Sequence, residues 1–249
     1  MAALDDPLAP LPSQGFARKA VVGYSWGHVS VPHPHPDEAR RLDILGGLDL
    51  LDTPAEAAFD DLARIAAALA AVPIATISLI DARRQWFKAT VGTEIRELPR
   101  DHAFCTHVLL SGPEGLVVED ARADERFRDH PLTRDGGRPI IFYAGLPIRD
   151  RGTGLPLGAL CVIDHRPRTL DPTQREGLAA VARLIESRIE ERRLLREASA
   201  DKARLLATLG STPNGVVLLD RQGACTFVNA AWVRLAEMDP AAARGSGWL

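Results

Sequence analysis

Ile74-Ala75-Thr76-Ile77-Ser78-Leu79-Ile80-Asp81-Ala82-Arg83-Arg84-Gln85-Trp86-Phe87-Lys88-Ala89-Thr90-Val91 is the stretch that decides the fold. Residues 74–80 are rich in β-branched side chains, residues 85–91 repeat that character with two aromatics, and a short polar segment joins them. That pattern predicts a β-hairpin. Upstream, Pro73 separates the hairpin from an alanine-rich segment in which Phe59, Leu62, Ile65, Ala66 and Leu69 recur at helical spacing. The apolar run of residues 65–80 is the longest in the chain. It falls short of the roughly 20 residues a bilayer span needs, and Pro73 divides it, so it reads as a helix followed by a strand.

Further elements follow in both directions. Residues 37–45 carry acids in the first turn and an apolar face, and Gly46-Gly47 ends the pattern. Thr53-Pro54 with Glu56 reads as a capped helix start. Residues 92–100 read as a loop, 103–110 as a short helix, 116–118 as a strand and 124–128 as a helical turn. Two more strands are expected over 140–148 and 155–163, separated by a turn-rich segment, and Pro172 opens a long helix. This order is not an alternating βαβ array. It predicts an α+β fold built on an antiparallel sheet.

Composition narrows the function classes. The chain has 249 residues, 46% of them apolar, with 30 Lys+Arg against 33 Asp+Glu. A core is affordable, and a net charge of −3 gives nucleic acid no basic surface to hold. Cys105, Cys161 and Cys225 are odd in number and form no CxxC pair, which argues against a disulfide framework or zinc ribbon and suits a reducing cytosol. Residues 1–36 hold Pro7, Pro10, Pro12, Pro32, Pro34 and Pro36 and read as a disordered leader without signal-peptide character. His33 and His35 within it read as part of a stiff linker, not as metal ligands.

Five separated phrases agree in order with one family. They are Leu50-Leu51-Asp52-Thr53-Pro54, Gln85-Trp86-Phe87-Lys88, the run from Pro99 to His107, Phe142-Tyr143-Ala144-Gly145-Leu146-Pro147, and the run from Leu157 to Asp164. Together, over about residues 37–192, they resemble a GAF domain of the type found in bacterial sensor histidine kinases and diguanylate cyclases. The resemblance implies a central antiparallel sheet of five or six strands, helices on one face, and a roof of loops and short helices over a ligand pocket on the other. Residues 37–170 are expected to form this sensor domain and 171–204 its terminal helix and a coiled-coil linker. Residues 205–249, including Leu209 to Asp220 and Gly223 to Trp232, resemble the opening of a PAS domain, expected to be incomplete.

The same resemblance, with residue chemistry, nominates a ligand-binding set: Trp86, Phe87, Arg100, Phe104, Cys105, His107, Tyr143 and Asp164. Trp86 and Phe87 must point to opposite sides of a strand, so one faces the pocket and the other the helices. Arg100 can bind a carboxylate or phosphate, or pair with a nearby acid. Asp164 serves a turn or a ligand. Cys105 and His107 stand two apart and do not share a helix face, which argues against a catalytic pair. Cys105 is read as a redox-responsive thiol or a small buried residue, and Cys161 as core. Thr106 interrupts the Cys-His adjacency of tetrapyrrole-binding relatives, and the cyclic-nucleotide signature is missing, so no cofactor or ligand is named.

Leu178, Val181, Ile185 and Ile189 form one stripe, continued by Leu194, Leu195, Ala198, Leu205, Leu206 and Leu209, with a phase change expected near Arg192. The expected role is therefore a cytoplasmic sensor module without a catalytic domain of its own. It binds a small molecule or senses redox state, and forms a parallel homodimer through residues 172–209 that signals to a kinase or cyclase. A thiol-dependent reductase of the free methionine sulfoxide reductase type and a ligand-free dimerisation module are the alternatives.

Overall fold

The computed structural model describes residues 32–134 and 137–237. They divide into two compact units at Glu190/Glu191. The expected leader falls almost wholly outside the described residues, as does the end of the PAS-like segment.

The first unit is built on β1 (Ile74–Ile80) and β2 (Arg84–Val91), the predicted hairpin. Its turn forms because Asp81 Oδ1 accepts from the backbone N–H groups of Arg83 at 2.7 Å and Arg84 at 2.8 Å. With β3 (Glu97–Pro99), β4 (Leu116–Val118), β5 (Phe142–Arg149) and β6 (Pro156–Asp164) it makes a six-stranded sheet of order β3-β2-β1-β6-β5-β4. All the pairings are antiparallel. β1 lies at the centre, buried along all seven residues, which explains its nearly continuous apolar composition. Gly158 permits the β1–β6 approach, since a Cβ there would stand 1.9 Å from the Ser78 carbonyl oxygen.

The sheet has two dissimilar faces. On the lower face lie α1 (Glu38–Gly47), α2 (Ala57–Ala70) and the first half of α5 (Pro172–Ser211). Phe59, Ala63, Ala66, Ala67 and Ala70 bury one side of α2, and Leu178, Val181, Ile185 and Ile189 bury one stripe of α5. Each fully buried Leu or Ile of that stripe contributes about 1.5–3 kcal/mol. On the upper face sit a 3₁₀ turn at Arg100–His102, α3 (Phe104–Val108), α4 (Pro131–Arg134) and connecting loops, sealed by Phe104, Phe127, Leu132 and Tyr143. This is the expected α+β architecture of sheet, helical face and roof.

Three local expectations need correction. α2 begins at Ala57 and not at Pro54: the Thr53 hydroxyl donates to the Leu50 carbonyl at 2.7 Å and its oxygen accepts from Lys88 Nζ at 2.7 Å, so it caps nothing downstream. The expected loop of residues 92–100 contains β3, whose three residues pair with Arg84, Gln85 and Trp86. α4 was not foreseen, since a four-residue helix leaves no periodicity to read.

The second unit holds the remainder of α5, a hairpin of β7 (Val217–Leu219) and β8 (Cys225–Val228), and α6 (Ala230–Ala236). Asn229 is the N-cap of α6, as expected: its Oδ1 accepts from Trp232 N–H and also from Val216 N–H, both at 2.9 Å. Its Nδ2 donates to the carbonyls of Leu209 and Asn214, so one side chain gathers helix, loop and hairpin. The α5 side chains Leu194, Leu195 and Leu205 are exposed.

Candidate functional site

The alternation of β1, β5 and β6 supplies the site's floor. Ala75, Ile77 and Leu79 face the helices, whereas Ile74 and Thr76 face the roof. Between this floor and the roof is a hollow of about 50 Å³. Phe87, Phe104, Leu132, Ile140 and Ile163 make its apolar wall. Thr76, Gln85, Thr93, Cys105, Tyr143 and His165 bring the polar atoms. A cavity needs roughly 10–15 Å³ on this measure to hold one water. The hollow therefore accommodates a guest of a few heavy atoms, well below the roughly 300–1,000 Å³ of pockets for drug-sized ligands.

One buried polar atom of the lining, His165 Nε2, has no hydrogen-bond partner among the described residues, and Thr76 Oγ1 has only the weak acceptor or donor of the Cys161 thiol beside it. The other nitrogen of His165, Nδ1, lies 2.9 Å from the Pro139 carbonyl oxygen. A carbonyl only accepts, so Nδ1 donates to it, and Nε2 is the ring nitrogen left facing the hollow. The hollow thus presents one ring nitrogen and one hydroxyl to a guest.

Beside them stands a sulfur cluster. Cys105 Sγ on α3 and Cys161 Sγ on β6 are 2.9 Å apart. Tyr143 Oη lies 3.3 Å from the first and 3.2 Å from the second, and Gln85 Nε2 donates to Cys105 at 3.0 Å. All four side chains are buried. Burial raises the pKa of Cys105, but hydrogen bonds from Cys161, Tyr143, Ser78 and Gln85 outweigh it and leave this thiol below its ordinary value. Burial and the neighbouring Cys105 push Cys161 well up. Gly145 makes room for the cluster: a Cβ there would meet Tyr143 Oη at 2.4 Å and Val108 Cγ2 at 2.6 Å.

Of the eight residues nominated from sequence, Phe87, Phe104, Cys105 and Tyr143 line this hollow. The other four lie elsewhere. Trp86 faces the helices, packed in the lower core. It borders a separate recess of about 360 Å³ with Asp52, Thr53 and Lys88, whose cation is already taken by Thr53, Pro54 and Glu56. Arg100 donates to Glu38 Oε1 at 2.6 Å and to the Asp81 carbonyl at 3.1 Å, pairing with an acid that sequence proximity did not suggest. For Glu38, burial opposes charge, but hydrogen bonds from Arg41 and Arg100 prevail and hold its pKa at about 2. His107 sets its ring edge against Phe127 at 4.9 Å. Asp164 closes the turn after β6, accepting from His165 N–H at 2.6 Å and pairing with Arg168.

Sequence reasoning missed Thr76, Gln85 and His165, and read Cys161 only as core. Thr76 and Ser78 were detectable as polar residues alternating within an otherwise apolar strand. The Cys161 contact was not, because 56 residues separate it from Cys105.

A sheet with helices below and a roofed hollow above is the arrangement of a GAF domain, and residues 54–189 match the model of the GAF domain family. The chain belongs to that family. It is 41% identical over 162 residues to the cyclic di-GMP phosphodiesterase PA2567 of Pseudomonas aeruginosa; the match covers 64% of this chain and 26% of that protein. Among solved structures it resembles the Escherichia coli DhaR(N)–DhaL complex, with a TM-score of 0.51 and 18% identity over 88% of this chain and 73% of that one. The GAF domain of an Acinetobacter phosphoenolpyruvate-protein phosphotransferase gives a TM-score of 0.46 and 17% identity over 63% and 95%. These two likenesses concern the fold alone. Among the described residues no helix is long and apolar enough to cross a membrane.

Proposed function

We propose that this chain is a regulatory sensor module that takes a small guest in its roofed hollow and passes occupancy through α5 to an output domain. The observation that carries the reading is His165 Nε2, a buried polar atom of the hollow's lining that lacks a partner, with Thr76 Oγ1 beside it held by no more than the Cys161 thiol. Leaving the His165 nitrogen unpaired costs about 1–3 kcal/mol, which a hydrogen-bonding guest recovers. The helix stripe of Leu178, Val181, Ile185 and Ile189 packs beneath the same sheet, one layer from the guest. Occupancy shifts the balance between two packings of that helix.

In this reading residues 37–170 form the sensor, 171–204 carry the signal, and 205–249 begin a PAS-like domain. The exposed Leu194, Leu195 and Leu205 serve a parallel homodimer. The phosphodiesterase relative favours an output in cyclic di-GMP turnover over a histidine kinase. Native mass spectrometry of protein purified under reducing conditions tests the guest. A retained small molecule that is lost in Thr76→Val and His165→Phe supports the reading. An empty hollow together with a strictly monomeric chain sinks it.

A further inference from the structure

The thiols of Cys105 and Cys161 are not used by guest binding as described above, yet they sit nearer each other than any metal-bridged pair. Two thiolates on one tetrahedral zinc, with Zn–S of about 2.3 Å, stand ~3.8 Å apart. These sulfurs are 2.9 Å apart and come from different elements, the roof helix α3 and the sheet strand β6. Closing to the disulfide length of about 2.05 Å requires a movement of about 0.9 Å. Cys105 also lines the hollow, whereas Cys161 does not. One sulfur is therefore open to a small reagent and the other is placed to resolve the product.

We infer that Cys105 and Cys161 form a peroxide-oxidised dithiol, in which Cys105 is the attacking sulfur and Cys161 the resolving one. Hydrogen peroxide has two heavy atoms and fits a hollow of about 50 Å³. The Cys105 thiolate, held by donors from Gln85 and Tyr143, attacks one peroxide oxygen. The O–O bond breaks, and the departing hydroxide takes up the proton released by the Cys105 thiol, giving one water and a sulfenic acid on Cys105. Cys161 sulfur then attacks Cys105 sulfur and the S–O bond breaks. The hydroxide that leaves collects the Cys161 proton as a second water. Two thiols and one hydrogen peroxide become one disulfide and two waters. The two sulfurs are oxidised, and the two peroxide oxygens are reduced.

The donors on Cys105 lower that thiol while burial and Cys105 raise Cys161, which matches the order of the two roles. The bond ties the roof helix to the middle of the sheet and stiffens the lid of the hollow. The inference rests on the sensor reading for the entry route alone.

The test uses the full chain, reduced, freed of reductant and titrated with hydrogen peroxide. Denaturing alkylation, intact mass and peptide mapping follow. The expected result is loss of two of the three thiols, a mass decrease of two hydrogens, a Cys105–Cys161 linked peptide, and reversal by dithiothreitol. Cys161→Ser then accumulates a dimedone-trappable sulfenic acid at Cys105, and in Cys105→Ser Cys161 needs roughly tenfold more peroxide to react. Cys225→Ser still forms the bond. Three intact thiols in the folded wild type at millimolar peroxide overturn the inference, as does a disulfide through Cys225 or faster oxidation of Cys161 when Cys105 is replaced. The wild-type map carries the test if a variant fails to fold. Failure here leaves the guest measurement on reduced protein untouched, and an empty hollow leaves the dithiol chemistry untouched.

Discussion

Lys88 Nζ donates to Glu56 Oε1 at 2.6 Å from a side chain that is 1% exposed. The ammonium reaches this place because β2 bulges: Ala89 pairs with Ile77 and Phe87 with Ser78, leaving Lys88 as the extra residue. It lies over the rings of Phe59 and Trp86, and two further acceptors, Thr53 Oγ1 and the Pro54 carbonyl, complete its hydrogen bonding. Glu56→Gln keeps the shape and removes the countercharge. The expected loss is about 2 kcal/mol of unfolding free energy, with a smaller loss for Lys88→Met, which removes the fully buried charge and leaves only the part-exposed Glu56 without its lysine partner. Urea unfolding of both variants checks the order.

Acid weakens the first unit in two successive windows. Burial lowers the pKa of His130 from 6.5 to about 4 in the folded chain, where its Nδ1 accepts from Leu132 N–H. Above pH 6.5 the ring is neutral folded and unfolded. As pH falls from 6.5 towards 4, the unfolded chain takes up a proton that the folded one refuses. Stability therefore drops, by up to about 3 kcal/mol. Burial also lowers His102, which adds to the same window. Glu38, unfolded near 4.5 and folded near 2, loses its contribution from about pH 4.5 down to 2, overlapping only the foot of the histidine window. Stability measured against pH is expected to lose the larger part of its upper slope in His130→Asn, which retains the acceptor.

The roof depends on the missing side chain of Gly145. Alanine there drives a methyl group into Tyr143 Oη and Val108, so α3 must lift or Tyr143 must leave the sulfur cluster. The expected cost is roughly 1–3 kcal/mol, with faster amide exchange across α3. Gly46→Ala in α1, where a Cβ meets nothing within 4 Å, serves as the control and stays at or above wild-type stability.

The two halves of α5 should respond differently to the same truncation. Ile185→Ala opens a cavity in the lower core and costs about 2–5 kcal/mol. Leu195, 66% exposed, changes stability by no more than about 0.5 kcal/mol on replacement by alanine. If Leu195 serves the proposed dimer, sedimentation shows weaker self-association for Leu195→Ala. Unchanged association removes that role from this residue.

How far the sequence reached follows from what each feature depends on. The β1–β2 hairpin was legible because its strand composition and its Asp81 turn are local. The helical stripes were legible because burial imposes a period. Trp86 and Phe87 were legible as a pair on opposite faces, but which faced the hollow depended on sheet packing. Arg100 was legible as a cation in need of an acid, yet Glu38 lies 62 residues upstream. β3 was hidden because three residues ending in proline give no pattern. The sulfur cluster with Thr76 beside it, and the unpaired nitrogen of His165, exist only once β1, β6 and the roof are assembled.

One feature of β6 separates two kinds of selective pressure. From Ala159 to Ile163 the odd positions pack into the roof-side core, Ile163 lining the hollow, and the even positions, Leu160 and Val162, pack against the helices. On the proposed sensor reading, a substitution at Ile163 reshapes the hollow while the packing of Leu160 and Val162 on the helices stays the same. Parity along a single strand makes the receiver replaceable without rebuilding the transmitter.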